Sequence, residues 1–268
     1  MDSTSAAPRA PDPVDESGIV TRLRAAGCVF AEDEARLLIA EARSPAQLAD
    51  MVERRVAGFP LETIVGWAEF CGLRILIEPG VFVPRHRTEF LVQQAAALAR
   101  PGAVVLDLCC GSGALGVALA ASVRPIELHA ADIEPAAVRC ARRNVGPLGG
   151  LVYEGDLFEP LPQALRGRVD IMLANTPYVP TDAIGMMPPE ARDHEPLVTL
   201  DGGFDGLEVQ RRVAASARQW LASGGHVLVE ASERQAAASA AIFARAGFVA
   251  QVVTSEELDA TIVIATAT

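Results

Sequence analysis

The chain contains two asparagines, Asn144 and Asn175, and two tyrosines, Tyr153 and Tyr178. One of each falls in the tetrapeptide Asn175-Thr176-Pro177-Tyr178, directly after an apolar run. An asparagine side-chain carbonyl can accept one N–H of a target –NH2 group, and the Thr176 backbone carbonyl can accept the other. Held this way, the target nitrogen aims its lone pair at a methyl group, and the Tyr178 ring forms an apolar wall beside it. Rate then comes from positioning and from stabilising the positive charge that develops on nitrogen. No strong base is needed, because the proton can leave after transfer. The same residues also read as a plain strand-ending turn broken by Pro177.

A second constellation lies upstream. Asp107-Leu108-Cys109-Cys110-Gly111-Ser112-Gly113 ends one apolar run and opens a helical one, with Gly116 three residues on. Glycines there let the chain turn tightly and let a ligand touch backbone. Asp132 follows nineteen residues after Gly113, where a carboxylate can accept from both hydroxyls of a ribose. The pattern predicts an adenosyl ligand, and by itself it fits a nicotinamide dinucleotide as well as S-adenosylmethionine. Three features favour the latter. The Asp107 carboxylate suits a ligand bearing an ammonium and a sulfonium. Gly155-Asp156 places an acceptor where an adenine amino group could lie, and the fourth strand ends in the tetrapeptide.

These residues need a scaffold. Strand-like runs at 104–108, 126–131, 151–154, 169–174, 226–230, 248–253 and 261–265 alternate with helical stretches. Such alternation predicts βαβ units and a mostly parallel sheet covered by helices on both faces. Its C-terminal edge is where open α/β sheets bind ligands. Ahead of it, Phe70, Leu73, Ile75 and Ile77, then Val81 to Val83, predict a β-hairpin broken at Glu78-Pro79-Gly80, over residues 67–84. Thr88 is the expected N-cap of a helix to Arg100. Residues 18–66 have helical spacing, with Ser44-Pro45 opening the third helix. They predict a small helical domain, either a stabilising appendage or a substrate-recognition element. Residues 1–17, rich in Pro, Ala and Asp, read as a flexible tail without the apolar core of a signal peptide. The α/β catalytic domain is then 85–268.

Composition removes several mechanisms. All 23 basic residues are arginine, so Schiff-base chemistry and a P-loop lysine are excluded. A net charge of −11 and 5% aromatic residues argue against a nucleic-acid partner. The five cysteines (Cys28, Cys71, Cys109, Cys110, Cys140) have no metal-ligand spacing and read as reduced thiols of a cytoplasmic protein. No metal and no membrane span are expected. Adjacent Cys109 and Cys110 read as buried small residues rather than a strained redox pair. Arg85 and Arg87 could grip a carboxylate or hold loops. His194 beside Glu195 could form an acid/base pair, with a surface role in a substrate loop favoured. Met186 and Met187 read as packing or flexible residues.

The tetrapeptide resembles the Asn-Pro-Pro-Tyr signature of amino-group methyltransferases, with Thr176 in place of the first proline. Its surroundings resemble the HemK/PrmC family of protein-(glutamine-N5) methyltransferases over roughly residues 20–268. The resemblance rests also on Val83-Pro84-Arg85-x-x-Thr88-Glu89, on Glu195-Pro196, and on Gly202-Gly203-x-Asp205-Gly206-Leu207. It implies a Rossmann-like seven-stranded methyltransferase fold, S-adenosylmethionine as methyl donor and a protein substrate, a translation release factor being the family's known one. It further implies cofactor contacts from Cys109, Cys110, Gly111, Ser112, Gly113, Asp132, Asp156, Leu157 and Asn175. The target amide would be held by Asn175 to Tyr178, and Arg85, Glu195 and Pro196 would belong to the substrate loops. Other readings are methylation of a nucleic-acid base amino group, of a small-molecule amine, or donor binding without catalysis in a regulator.

Overall fold

The computed structural model describes residues 15–268, so the expected tail lies, through residue 14, outside the described residues. The chain divides into two compact units between Val65 and Gly66. The first contains α1 (Glu16–Ala25), α2 (Ala31–Glu41), α3 (Pro45–Val56) and α4 (Leu61–Val65). Helix α1 begins two residues before the expected domain start, capped by the Asp15 carboxylate, which accepts from the Gly18 amide at 3.0 Å. Ser44 caps α3 by accepting from the Gln47 amide, with Pro45 in the first turn. Leu23, Leu38 and Met51 form a core. The buried Glu34 carboxylate receives the Arg55 guanidinium at 2.6 and 3.2 Å, a two-pronged pair.

The second unit opens with a hairpin, β1 (Trp67–Phe70) and β2 (Leu73–Leu76), paired Phe70 to Leu73. Its turn is Cys71-Gly72, both with positive φ (51° and 70°). That is the two-residue geometry whose twist matches antiparallel strands. The turn expected at Glu78-Pro79-Gly80 is therefore misplaced. Val81 and Val83 lie outside any strand; both are buried, Val83 in the core with Phe70 and Ile75, and this burial, not strand pairing, explains their apolar character. The hairpin is thus part of the second unit's own core.

The remaining elements are α5 (Glu89–Leu98), β3 (Val104–Leu108), α6 (Ala114–Ser122), β4 (Glu127–Asp132), α7 (Pro135–Val145), β5 (Leu151–Glu154), β6 (Val169–Ala174), α8 (Pro189–His194), α9 (Glu208–Ala217), β7 (Leu221–Glu230), α10 (Glu233–Arg245), β8 (Phe248–Ser255) and β9 (Ala260–Ala267). Seven strands form one sheet in the order β5-β4-β3-β6-β7-β9-β8. The first five are parallel, and β9 runs antiparallel to both β7 and β8. Every residue of β3 is buried, as expected of a central strand covered on both faces. From β3 the chain steps outward to β4 and β5, then returns to place β6 on the other side of β3. This reversal opens a crevice at the C-terminal strand ends. There, Leu108 is in register with Ala131 on β4 and with Ala174 on β6. Asp132 and Asn175 follow those two positions. Among the described residues no helix is long and apolar enough to cross a membrane.

Candidate active site

One cleft occupies this crevice. Cys109, Cys110, Gly111, Ser112, Asp132, Asp156 and Leu157 line it, as do the whole tetrapeptide, Arg85 and Glu195. Asp107, Gly113 and Pro196 do not line it.

Asp107 was expected to turn its charge toward the ligand. It is instead buried within β3, and Oδ2 accepts from the Gly116 amide at 2.9 Å, bracing the start of α6. Burial, reinforced by the nearby Asp132, pushes its carboxyl up to about 8. Its place on the central strand is what removes it from solvent. Gly113 (φ 78°) faces away from the cleft; a Cβ there would lie 2.8 Å from Val145 on α7. The glycine lets α6 and α7 pack closely.

Asp132 is oriented by two backbone donors. Oδ2 accepts from Gly111 at 2.8 Å and Oδ1 from Glu134 at 2.9 Å. Each oxygen retains a further lone pair for a ligand. Burial raises its pKa, and these amides oppose the shift. Ile133, half exposed beside it, and Leu157 add apolar walls. Asp156 does not stand alone: Arg212 on α9 donates to it at 2.5 Å. Cys109 and Cys110 are free, and burial next to carboxylates pushes both thiols far up, so neither is a ready nucleophile.

The tetrapeptide is held by a network of side chains. Tyr178 Oη donates to Glu230 Oε1 at 2.9 Å and receives Arg87 Nη2 at 2.5 Å, while Arg87 Nε donates to the same carboxylate oxygen at 3.0 Å. Thr88 Oγ1 donates to Glu230 Oε2 at 2.5 Å, and Asn175 Nδ2 approaches Thr88 Oγ1 at 3.5 Å. Thr88 stands at the N-cap position of α5, as expected, but its side chain makes no capping bond. A 3-10 turn, His86–Thr88, leads into α5, and the hydroxyl is committed to Glu230. Burial and the Glu230 charge push the Tyr178 phenol far above its ordinary range. The loop after the tetrapeptide packs directly on it. Gln235 Nε2 donates to the carbonyls of Tyr178 and Asp205, and a Cβ at Gly206 would lie 2.2 Å from the Tyr178 carbonyl oxygen. That approach explains the glycine at 206.

Arg85 and Glu195 are brought together: Nη2 donates to Oε1 at 2.6 Å. Arg85 thus holds a loop. Glu195 is buried and lines the cleft. Its other oxygen, Oε2, and Thr176 Oγ1 are buried without a partner among the described residues. Met187 lines the cleft and Met186 is exposed. Sequence reasoning passed over Thr88, Glu230 and Arg212 as site residues and left Arg87 open. Glu230 carried a usable signal, since it is an acid ending an apolar strand, as Asp132 is.

A parallel-sheet reversal, a carboxylate after the second strand of the sheet and an amide-bearing turn after the fourth define a Rossmann-like methyltransferase. The Methyltransferase small domain family model matches residues 72–187. A solved methyltransferase from Pyrococcus furiosus shares the fold, with a TM-score of 0.54 at 15% identity, covering 73% of this chain and 88% of that one. The release factor glutamine methyltransferase of Geobacter sulfurreducens is 39% identical over 210 residues, 76% of this chain and 73% of the relative. A 4-amino-L-phenylalanine/4-methylamino-L-phenylalanine methyltransferase of Streptomyces pristinaespiralis is 36% identical, over 76% of this chain and 71% of its own length. The chain belongs to the release factor glutamine methyltransferase family.

The cofactor of this family is S-adenosylmethionine. The cleft fits it: a carboxylate with spare lone pairs, the glycine loop and apolar side chains converge where an adenosyl group would need them. Among the described residues no group of three or more His, Cys, Asp or Glu could hold a metal ion.

Proposed function

We propose that the chain methylates the side-chain amide nitrogen of a glutamine in a protein, with a translation release factor as substrate. The supporting observation is convergence: Asn175, Thr176 and Tyr178 line the same cleft as Asp132 and the glycine loop. The relatives' names support the same substrate class. In this reading Asp132 holds the ribose hydroxyls. Cys109 to Ser112 offer backbone, and Asp156 with Leu157 borders the adenine. S-adenosylmethionine, when bound, supplies an electrophilic methyl group. Asn175 Oδ1 and the Thr176 carbonyl accept the two N–H groups of the glutamine amide. Substitution of proline by threonine at 176 keeps that carbonyl, and Pro177 keeps residue 176 extended. The Tyr178 ring walls the nitrogen, and positioning supplies the rate. Arg85 and Glu195 shape the substrate side of the cleft. A cytoplasmic location goes with this reading.

The Streptomyces relative supports a second reading, transfer to the amino group of a small aromatic amine. Mass spectrometry separates the two. A release-factor fragment incubated with S-adenosylmethionine gains one methyl on glutamine, and Asn175→Ala abolishes the gain. Methylation of 4-aminophenylalanine with an untouched fragment would replace the protein substrate by the amine.

A further inference from the structure

We infer that Glu230 sets the direction of a hydrogen-bond relay through Thr88, and that this relay fixes which end of the Asn175 amide meets the target nitrogen. The inference rests on the reading of Asn175 as an acceptor for a substrate N–H, and it adds two positioning residues to that site.

Three donors converge on the buried Glu230 carboxylate: Thr88 Oγ1, Tyr178 Oη and Arg87 Nε. A carboxylate offers only lone pairs, so the polarity of each of these bonds is settled. Thr88 has a single hydroxyl proton, and at 2.5 Å it is given to Glu230 Oε2. What remains on Thr88 Oγ1 is acceptor capacity. Only the NH2 end of an amide can approach it favourably, and Asn175 Nδ2 does so at 3.5 Å. The contact is long, as catalytic hydrogen bonds often are before substrate arrives. An amide whose two ends have similar shape is thereby given one orientation. Asn175 Oδ1 takes the other side, with no hydrogen-bond donor on it among the described residues, ready for an N–H of the target.

The reversed amide would present NH2 to NH2, two donors facing each other. A carboxamide at position 230 permits that reversal. Its NH2 can donate to Thr88 Oγ1, which frees the threonine proton to point at Asn175 and turn the amide over. The same carboxylate holds Tyr178 Oη, so one buried charge orients both the acceptor and the wall of the site.

The test uses Glu230→Gln, Thr88→Val and Thr88→Ser in the full chain. Because the sequence has two asparagines, selective 15N-asparagine labelling yields two side-chain amide signals. Asn144, bonded to the carbonyls of Leu76 and Ser112 at 3.0 and 2.9 Å, reports on the fold. In Glu230→Gln and Thr88→Val the Asn175 pair shifts while the Asn144 pair stays. Turnover falls about 10²-fold, the loss typical of a misplaced reacting group, with the donor dissociation constant unchanged by calorimetry. Thr88→Ser, which keeps the hydroxyl, recovers the Asn175 signal and most of kcat. An Asn175 signal identical to wild type in both Glu230→Gln and Thr88→Val overturns the relay. A wild-type enzyme that methylates no glutamine overturns the substrate reading instead, and the asparagine signals still decide the relay.

Discussion

Arg85 and Glu195 lie 110 residues apart and meet at 2.6 Å, tying the segment after the hairpin to the loop after α8. The Glu195 side chain is 2% exposed and the Arg85 side chain 34%. Glu195 Oε1 also lies 3.5 Å from the Val83 amide, and Oε2 has no partner among the described residues. Removing the guanidinium leaves a buried carboxylate with little compensation, the costly way to break such a pair. Arg85→Ala is expected to destabilise the fold by about 2 kcal/mol, reduced from the fully buried case by the partial exposure of the arginine. Burial already raises the Glu195 pKa against the pull of Arg85. The variant raises it further, so its stability deficit grows with pH. Urea denaturation at two pH values measures this, and Glu195→Gln added to Arg85→Ala recovers part of the loss.

Asp107 gives stability a slope of its own. Its carboxyl is held up to about 8 in the fold, whereas an unfolded chain releases the proton near the ordinary carboxylate value of 3.8. Between those values the native state binds the extra proton, so raising the pH favours unfolding. Stability contributed through this group is full below the unfolded value, declines as pH rises and levels off above the folded value. Asp107→Asn keeps an acceptor for the Gly116 amide and loses the titration. Its stability curve between pH 4 and 8 is expected to be flatter than wild type, measured by chemical denaturation across that range. Equal slopes would mean the carboxyl ionises normally.

Much of the fold was legible because parallel βαβ units write their period plainly. All seven strands of the large sheet fall where apolar runs alternate with helical ones, with β7 extended back to Leu221. The hairpin turn was not legible, since Cys71-Gly72 is a weaker turn signal than Glu78-Pro79-Gly80. The conformation there is settled by the pairing of Phe70 with Leu73. The site was legible where function imposes local spacing, as in the glycine loop and the tetrapeptide. Its supports were not. Thr88, Glu230 and Arg212 come from three distant segments, and their partnerships exist only once α5, β7 and α9 pack around the strand ends.

Asp132 should carry a large share of donor affinity. It faces the cleft with both oxygens already aligned by the Gly111 and Glu134 amides. Asp132→Ala removes charge-assisted bonds to a ligand, worth about 1.5–3 kcal/mol each, and loosens the loop. The dissociation constant for S-adenosylmethionine is expected to rise about 10- to 100-fold by calorimetry. An unchanged constant would remove Asp132 from the cofactor site.

Tyr178 combines a ring that faces the cleft with a hydroxyl bound to Glu230 and Arg87 behind it. The two parts can be separated by substitution. Tyr178→Phe keeps the wall and frees its outer edge, and kcat is expected to fall about three- to tenfold, the scale of one hydrogen bond. Tyr178→Ala removes the wall itself and should cost about 10²-fold. Proton removal is a distinct matter. Burial first, then the Glu230 charge, keeps the phenol protonated well above its usual range, so the phenolate is not accessible as a base at working pH. The wild-type pH–rate profile should therefore show no rise that belongs to Tyr178 as pH approaches 10. A limb that climbs there and vanishes in Tyr178→Phe would make the tyrosine a general base and displace positioning as the source of the rate.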